Sequence, residues 1–237
     1  MTMKELKFST KLFEFLQELK SNNNREWYEQ NRGKYTEHVR DPFLAFIAAF
    51  RPRLNAISPW LIADPKPVGG SMLRIYRDVR FSKSKVPYKT NAAAFFYHQA
   101  GKENTPGIYL HLEPGSSFLG IGLWQPDTAN RRKITDSIYN NPSRWGDVVT
   151  DRKFKKSFKL AGDSLSKVPK HYSGSHPFPD DLRRKDFIVT SDFSQRQVCE
   201  KDFIERVEDL CITAAPFMQF LTEALEIPWR KTSKARE

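Results

Sequence analysis

Apolar positions in the first sixty residues recur three to four residues apart, the spacing of an amphipathic helix. One stripe follows Ser9 and comprises Leu12, Phe15, Leu16 and Leu19. Another follows Asp41–Pro42, where Asp suits the N-cap and Pro the first helical position, and comprises Phe43, Phe46, Ile47, Phe50 and Leu54. The spacing predicts helices whose apolar sides pack into a core.

Between residues 72 and 124 the spacing changes to the period of two that is typical of strands. In one segment Ile108, Leu110 and Leu112 alternate with Tyr109, His111 and Glu113, so one side is apolar and the other polar. The predicted strands are 72–78, 92–98, 108–113 and 118–124. Their connections are too short for helical crossovers, and 113–117 contains hairpin residues, so the sheet should be antiparallel.

Helical patterns return after Asp127, and the intervening stretch 169–179, rich in Pro, His and Ser, predicts a loop. The predicted helices begin at Asp127 and cover 143–149, 153–160 and 201–224. No repeat, low-complexity tract or linker divides the 237 residues. The order of the elements predicts one α+β domain, residues 1–237, with a central antiparallel sheet flanked by N-terminal and C-terminal helices.

The composition narrows the class of protein. Lys and Arg total 39 against 28 Asp and Glu, and a net charge of +11 favours anionic partners. The two cysteines, Cys199 and Cys211, cannot form a disulfide framework. The longest apolar run, 43–50, is too short to span a bilayer, and the first residues lack the apolar stretch of a signal peptide. We expect a soluble, cytoplasmic protein with no membrane association.

The surplus of positive charge is most concentrated between residues 74 and 89, where a predicted strand runs into a loop. Arg offers a planar fork for phosphate or carboxylate, Lys a mobile charge, and Tyr a hydroxyl and a ring face. The candidate ligand-binding residues are Arg74, Tyr76, Arg77, Arg80, Lys85, Tyr88 and Lys89. The alternative is a solvated loop in which Asp78 forms an ion pair with Arg74 or Arg77.

A second polar cluster is predicted on the strand that contains His111. If Arg74, Tyr76 and Asp78 lie on the same side of the sheet as Tyr109, His111 and Glu113, the cluster has the groups that general acid–base chemistry needs. The candidate catalytic residues are therefore Asp78, His111 and Glu113. A single histidine on the polar side of a strand is also often just solvated, so the sequence leaves open whether the chain is an enzyme.

Other chemistry is less well supported. The five histidines do not show metal-ligand spacing, so no metal site is predicted, and no motif indicates a cofactor. The segment 152–159 has five cations around Phe154 and Phe158, which stand four residues apart. It predicts either an ordinary solvated helix or a helix whose basic side follows a phosphate backbone.

Several segments resemble a known family. The longest is Arg74-Ile-Tyr-Arg-Asp-Val-Arg-Phe-Ser-Lys-Ser-Lys-Val-Pro-Tyr-Lys-Thr90, and the others are Asn23-Asn-Arg-Glu-Trp-Tyr28, Tyr109-Leu-His-Leu-Glu-Pro114, Gly122-Leu-Trp-Gln-Pro126 and Leu182-Arg-Arg-Lys-Asp-Phe187. Over residues 8–225 the chain resembles the family catalogued as domain of unknown function 2461. The resemblance implies a single-domain, cytoplasmic, mostly bacterial and fungal protein, and it implies no reaction.

Three hypotheses follow from the sequence. The first is a protein that binds a phosphorylated or carboxylated small molecule at 74–89 and transforms it with the catalytic candidates. The second is a nucleic-acid-binding module, which requires 74–89 and 152–159 on one continuous positive surface. The third is a scaffold whose basic loop meets an acidic protein partner. Neither the ligand nor the oligomeric state follows from the sequence.

Overall fold

The computed structural model describes residues 7–80 and 83–230. Its helices are α1 (Thr10–Ser21), α2 (Arg25–Gln30), α3 (Arg32–Tyr35), α4 (Asp41–Ile57), α5 (Thr128–Asn140), α6 (Pro142–Val149), α7 (Arg152–Ser157), α8 (Gln195–Val198) and α9 (Phe203–Ala224). A π-helical turn, Thr36–Arg40, joins α3 to α4, and a 3-10 turn covers Asp181–Arg183. Across the described part of the chain, no helix is both long and apolar enough to cross a membrane.

Within residues 7–80 and 83–230, six strands form one sheet in which every pair of neighbouring strands is antiparallel. They are β1 (Leu61–Ile62), β2 (Ala92–His98), β3 (Gly107–Leu112), β4 (Ser117–Leu123), β5 (Lys159–Ala161) and β6 (Phe187–Phe193). Their order across the sheet is β1-β2-β3-β4-β6-β5. With helices before and after the sheet, the fold is the single α+β domain that the sequence predicts.

One face of the sheet, the inner face, packs against helices. It presents alternate residues of the central strands, among them Phe96, Leu110 and Ile121, all of which are almost fully buried. Helix α9 contacts β4 and also α4, α5, α6 and α7, so it lies in the middle of the helical layer. The period of two therefore separates a buried apolar face from a second face of different composition.

The second face, which we call the outer face, keeps its side chains partly exposed. By register it includes Phe95 and Tyr97 of β2, Tyr109 and His111 of β3, Phe118 and Gly120 of β4, and Thr190 of β6. Aromatic rings and a glycine thus occupy positions that are often charged on a solvated sheet face. The outer face is therefore partly open to solvent, whereas the inner face is covered by helices.

Three of the predicted strands, 92–98, 108–113 and 118–124, are confirmed to within one residue at each end. The prediction of a regular strand at 72–78 is wrong. That segment pairs with the chain only at two isolated bridges, Met72 with Ala94 and Tyr76 with Tyr88. Pairing between them is interrupted by a bulge, and strand propensity alone does not reveal a bulge.

Other element boundaries also differ from the prediction. Asp41 does not cap a new helix, because the π-helical turn runs directly into α4 and Pro42 lies within the continuous helical rod. The helix predicted at 153–160 ends at Ser157, and the chain becomes extended at Phe158 to form β5. Strand β6 was not predicted, although it completes the sheet beside β4.

Candidate functional site

The basic segment forms one arm of a hairpin, and β2 continues from the other. Leu73 N–H donates to Ala93 O over 2.8 Å, and Arg77 N–H donates to Pro87 O over 2.9 Å. We call residues 71–93 the basic hairpin and residues 78–86 its tip; Phe81 and Ser82, within the tip, are outside the described residues. The hairpin therefore extends the sheet beyond the start of β2.

A bulge lies where the basic hairpin joins the sheet. Leu73 N–H donates to Ala93 O and Lys89 N–H donates to Ile75 O, so between the bridges Met72–Ala94 and Tyr76–Tyr88 Arg74 lies opposite residues 90–92. One residue on one arm thus faces three on the other. A bulge bends the strand and turns side chains away from the regular alternation, and bulges occur frequently beside active sites.

The base of the hairpin is fixed to the N-terminal helices. Asn23 Nδ2 donates to Tyr88 O, and Tyr88 N–H donates to Asn23 Oδ1, each over 3.0 Å. The Tyr88 ring stacks on Tyr28 with 4.2 Å between centroids and is 2% exposed, whereas Tyr76 is 45% exposed. Of the two predicted tyrosines, Tyr76 is accessible to a ligand, and Tyr88 serves mainly to anchor the arm.

Two of the predicted cations bind groups within the tip. Arg80 Nη2 donates to Asp78 Oδ2 over 2.6 Å and Arg80 Nε donates to Asp78 Oδ1 over 3.0 Å. These hydrogen bonds hold the pKa of Asp78 below its ordinary value. Lys85 Nζ donates to Val79 O over 3.0 Å. The sequence alternative paired Asp78 with Arg74 or Arg77, but the structure pairs it with Arg80.

Arg74, Arg77 and Lys89 differ from the tip cations, because none of their side chains has a hydrogen bond or ion pair with any residue that the structure describes. Burial lowers the pKa of Lys89, and the nearby positive charge of Arg74 lowers that pKa further. The Asp78 carboxylate, which could compensate them, already binds Arg80. The charge of Arg74 also lowers the pKa of Asp78, after the larger effect of Arg80, but Arg74 forms no ion pair with that carboxylate, so two neighbouring cations, one of them partly buried, lie together without a directly bonded anion.

Next to Lys89, the bulge residues join a chain of hydrogen bonds on the outer face. Thr90 Oγ1 donates to Glu113 Oε1 over 2.7 Å. His111 Nε2 lies 3.1 Å from Glu113 Oε2, and its Nδ1 lies 3.0 Å from the Tyr109 hydroxyl. The amide of Asn91 lies 3.4 Å from the same Nδ1. We call these five residues the outer-face network.

The network is consistent with one pattern of protons. If His111 Nε2–H donates to the Glu113 carboxylate, its Nδ1 accepts from the Tyr109 hydroxyl. Burial raises the pKa of Tyr109, and the charge of Glu113 raises it further, so the phenol keeps its proton near neutral pH. A hydroxyl, an imidazole and a carboxylate in this order can pass a proton from the Tyr109 end of the network to the Glu113 carboxylate, or in the reverse direction.

The structure thus brings together some of the predicted residues and not others. His111 and Glu113 are in direct contact, whereas Asp78 is held in the tip by Arg80. Thr90 and Asn91 were missed by the sequence analysis. A signal was available, because they immediately precede the strand 92–98, and Asn91 lies one position beyond the Ala92–Leu112 pair, opposite Glu113.

The second basic segment lies elsewhere. Helix α7 leads into β5, at the opposite edge of the sheet from β1 and β2. Its Phe154 is buried against Phe217 of α9, with 5.7 Å between ring centroids. A groove beside it of about 270 Å³ is lined by Lys153 and Arg206 but also by three acidic residues, Asp202, Glu205 and Asp209.

The fold and the site define an α+β protein with an open sheet face and a basic hairpin at one end of it. A family model with the description "Conserved hypothetical protein (DUF2461)" matches residues 11–220, and the chain belongs to this family. No curated protein matches the chain. Within the described residues, no three His, Cys, Asp or Glu side chains converge to hold a metal ion.

Proposed function

We propose that this protein binds an anionic small molecule, phosphorylated or carboxylated, in the angle between the basic hairpin and the outer-face network. Arg74 and Lys89 hold the anion, and Arg77 and Tyr76 supplement them at the exposed side of the hairpin. The network lies directly beyond Lys89, since Thr90 and Asn91 are the next two residues of the chain.

The observation that supports this proposal most directly is the unpaired couple Arg74 and Lys89. Neither side chain forms a hydrogen bond or ion pair with an anion among the described residues, although the charge of Arg74 also acts on Asp78, and burial together with the charge of Arg74 lowers the pKa of Lys89. Cations on a surface are ordinarily solvated, but a partly buried lysine beside an arginine is an arrangement that a bound anion relieves. A phosphate group supplies the oxygens that both side chains can share.

The network gives the proposed site a chemical capacity. His111 lies between the Tyr109 hydroxyl and the Glu113 carboxylate, and His is the side chain that most readily exchanges a proton near neutral pH. We therefore assign proton transfer, where the protein acts as an enzyme, to His111 with Glu113. Asp78 is a weaker candidate because its carboxylate binds Arg80.

A thermal-shift screen tests the anion site. The ligands are inorganic phosphate, pyrophosphate, sugar phosphates and dicarboxylates, applied to the wild type and to an Arg74→Gln, Lys89→Gln double variant. A ligand that binds only the folded state at 100 times its dissociation constant stabilises it by about 2.7 kcal/mol, which shifts the melting temperature measurably. We expect a shift in the wild type, no shift in the double variant, and an unchanged or higher melting temperature for the unliganded double variant.

The matched control is Lys153→Gln, Lys155→Gln on α7, which removes the same amount of charge at the opposite edge of the sheet. It should retain the ligand-induced shift. An equal loss in both double variants would show that net charge alone is responsible, and this would contradict a defined anion site. The absence of any shift in the wild type would favour the third hypothesis, docking of an acidic protein partner on the hairpin.

Binding of a nucleic-acid duplex is less well supported by the geometry. The basic hairpin and α7 are attached to strands that lie four positions apart in the sheet, or about 19 Å at the usual strand spacing. Acidic residues also line the groove beside α7. The nucleic-acid hypothesis requires a continuous positive surface through both segments, and neither this separation nor the acidic groove favours one.

A further inference from the structure

The middle of the outer face contains a glycine where a larger side chain would fit. Gly120 of β4 lies opposite Tyr109 of β3 and Thr190 of β6. A Cβ added to it would meet Phe118 at 3.7 Å and Tyr109 at 3.9 Å, which are ordinary contact distances. Its backbone is not in the left-handed region, so the fold does not require glycine here. Glycine inside a strand often marks the close approach of a ligand.

Aromatic rings surround this glycine. Phe95 lies on the far side of Tyr109 in the same row of the sheet, and Phe118 lies two residues before Gly120 on β4. All three rings are partly exposed, although burying them against helices would be the ordinary use of such residues. Gly120 and these rings form a shallow depression, the glycine floor, that a flat group can cover.

The glycine floor and the cation couple lie along the same strands. Lys89 precedes Phe95, the β2 residue in the same row as Tyr109 and Gly120, by six residues, or at most about 20 Å of extended chain. Ala93, the residue between them on the outer face, is 3% exposed, so neighbouring side chains cover it and a ligand would pass over those side chains. The long side chains of Arg74 and Lys89 shorten the gap. A single ligand with an anionic end and a flat end can reach both.

The chemistry of the floor distinguishes between flat groups. A sugar ring presents several hydroxyls, each of which needs a hydrogen-bond partner when water is displaced. The floor is made of partly exposed rings and a glycine: one face of the Phe118 ring stacks on His111 with 4.8 Å between centroids, and on β6 the polar residues Thr190 and Asp192 lie across from Gly120 and Phe118. A nucleobase has a polar edge but apolar faces. Because every base has such a face, stacking on an aromatic ring stabilises the binding of any base.

We propose that the ligand is a nucleotide, either free or within a single strand, whose phosphate binds Arg74 and Lys89 and whose base lies on the glycine floor. The phosphate end rests on the function proposed above, and the base end is new. Open antiparallel sheets with aromatic residues on central strands are a known platform for bases, and here the charge needed for the phosphate lies at the end of the same face.

Titration calorimetry with a graded set of ligands tests the base end. The set comprises inorganic phosphate, ribose 5-phosphate, adenosine, adenosine 5′-monophosphate and uridine 5′-monophosphate. Stacking of one base is worth about 1–3 kcal/mol, so at least one nucleoside monophosphate should bind about tenfold or more tightly than ribose 5-phosphate. Equal affinity for ribose 5-phosphate and both nucleotides would overturn the proposal.

A variant at Gly120 distinguishes binding of the base from binding of the phosphate. Gly120→Val fills the floor, and because the site is roomy and extended, the variant should fold with the wild-type unfolding midpoint. It should lose the tenfold preference for a nucleotide yet bind phosphate normally. Gly174→Val, at a position with no atom within 4 Å, is the control and should bind nucleotides as the wild type does. Unchanged nucleotide affinity in a folded Gly120→Val protein would refute the base site.

The two proposals fail in different ways. If phosphate binds and Arg74→Gln, Lys89→Gln abolishes it, but nucleotides bind no more tightly, the anion site stands and the base site is wrong. If the wild type binds neither phosphate nor any nucleotide, both are wrong. A pentanucleotide of single-stranded RNA, added as a separate arm, distinguishes the sources: tighter binding than the mononucleotide indicates a strand, and equal or weaker binding a free nucleotide.

Discussion

Phe95 and Phe96 are consecutive residues of β2, and they lie on opposite faces of the sheet. Phe96 is fully buried on the inner face, with its ring 5.2 Å from that of Phe50 in α4. Phe95 is partly exposed on the outer face, opposite Tyr109. The same residue type is thus part of the core on one face and partly exposed on the other. Composition alone therefore does not reveal which aromatic residues are buried.

The two histidines of the sheet repeat the contrast. His98, at the end of β2, is buried on the inner face, where its Nε2 lies 2.7 Å from Pro228 O and its Nδ1 accepts from Ala100 N–H. It holds the segment after α9 against the sheet. His111 keeps part of its surface exposed and contacts two ionisable side chains, Tyr109 and Glu113. His98 thus contacts backbone groups, whereas His111 contacts two side chains on the partly exposed face.

The largest difference between the two faces should appear when each phenylalanine is truncated. Phe96→Ala leaves a cavity in the core and should reduce the free energy of unfolding by about 3–5 kcal/mol. Phe95→Ala should cost less than half of that, because water already reaches part of the ring. Urea denaturation of both variants measures the difference. Equal losses would mean that the outer face is packed as tightly as the inner one.

An intermediate effect should come from pH. Burial lowers the pKa of His98 in the folded protein below its ordinary value of about 6.5. At a pH between these two values, the unfolded chain binds a proton at His98 and the folded chain does not. Stability therefore rises with pH in this window and falls as the pH drops through it. We expect the urea midpoint to decrease from pH 7 towards pH 5, and the decrease to be shallower in His98→Gln. An unchanged slope in that variant would contradict this role.

The smallest effect should come from the ion pair at the hairpin tip. Asp78 and Arg80 are exposed, and exposed pairs contribute little, so Asp78→Asn should leave the unfolding midpoint unchanged. The comparison is Asp181→Asn. The Asp181 carboxylate is buried and accepts from Trp145 Nε1 over 2.8 Å and Arg184 Nε over 2.7 Å, so its loss should cost about 1–3 kcal/mol. A measurable loss in Asp78→Asn would show that the tip is packed against the domain.

Much of the fold could be predicted because local patterns are sufficient for it. Asn24 accepts from Trp27 N–H at the start of α2, and Asp127 accepts from Asn130 N–H at the start of α5, as capping rules require. The strands 92–98 and 108–113 follow from their alternation. Strand β6 was missed because its pairing partner, β4, is more than sixty residues away in the chain. Pairing over that distance leaves little local signal.

The candidate site was predicted in part for the same reason. Alternation places Tyr109, His111 and Glu113 on one side of a strand, and the sequence shows this directly. The link between this cluster and the basic segment depends on the bulge at residues 90–92, whose side chains leave the regular alternation. The partner of Asp78 depends on the path of the tip, which the spacing of charges did not reveal.

The sequence by itself determined the fold class, the antiparallel sheet, the family resemblance and the identity of the segment richest in positive charge, because each of these depends on residues close together in the chain. Only the tertiary structure decided which cations remain without a partner, that Thr90 and Asn91 join the network of His111, and that Gly120 lies among partly exposed rings. Each of these features depends on contacts between residues of different strands and on how far a side chain is buried. The local sequence pattern does not show such contacts, because they form only when the sheet is assembled.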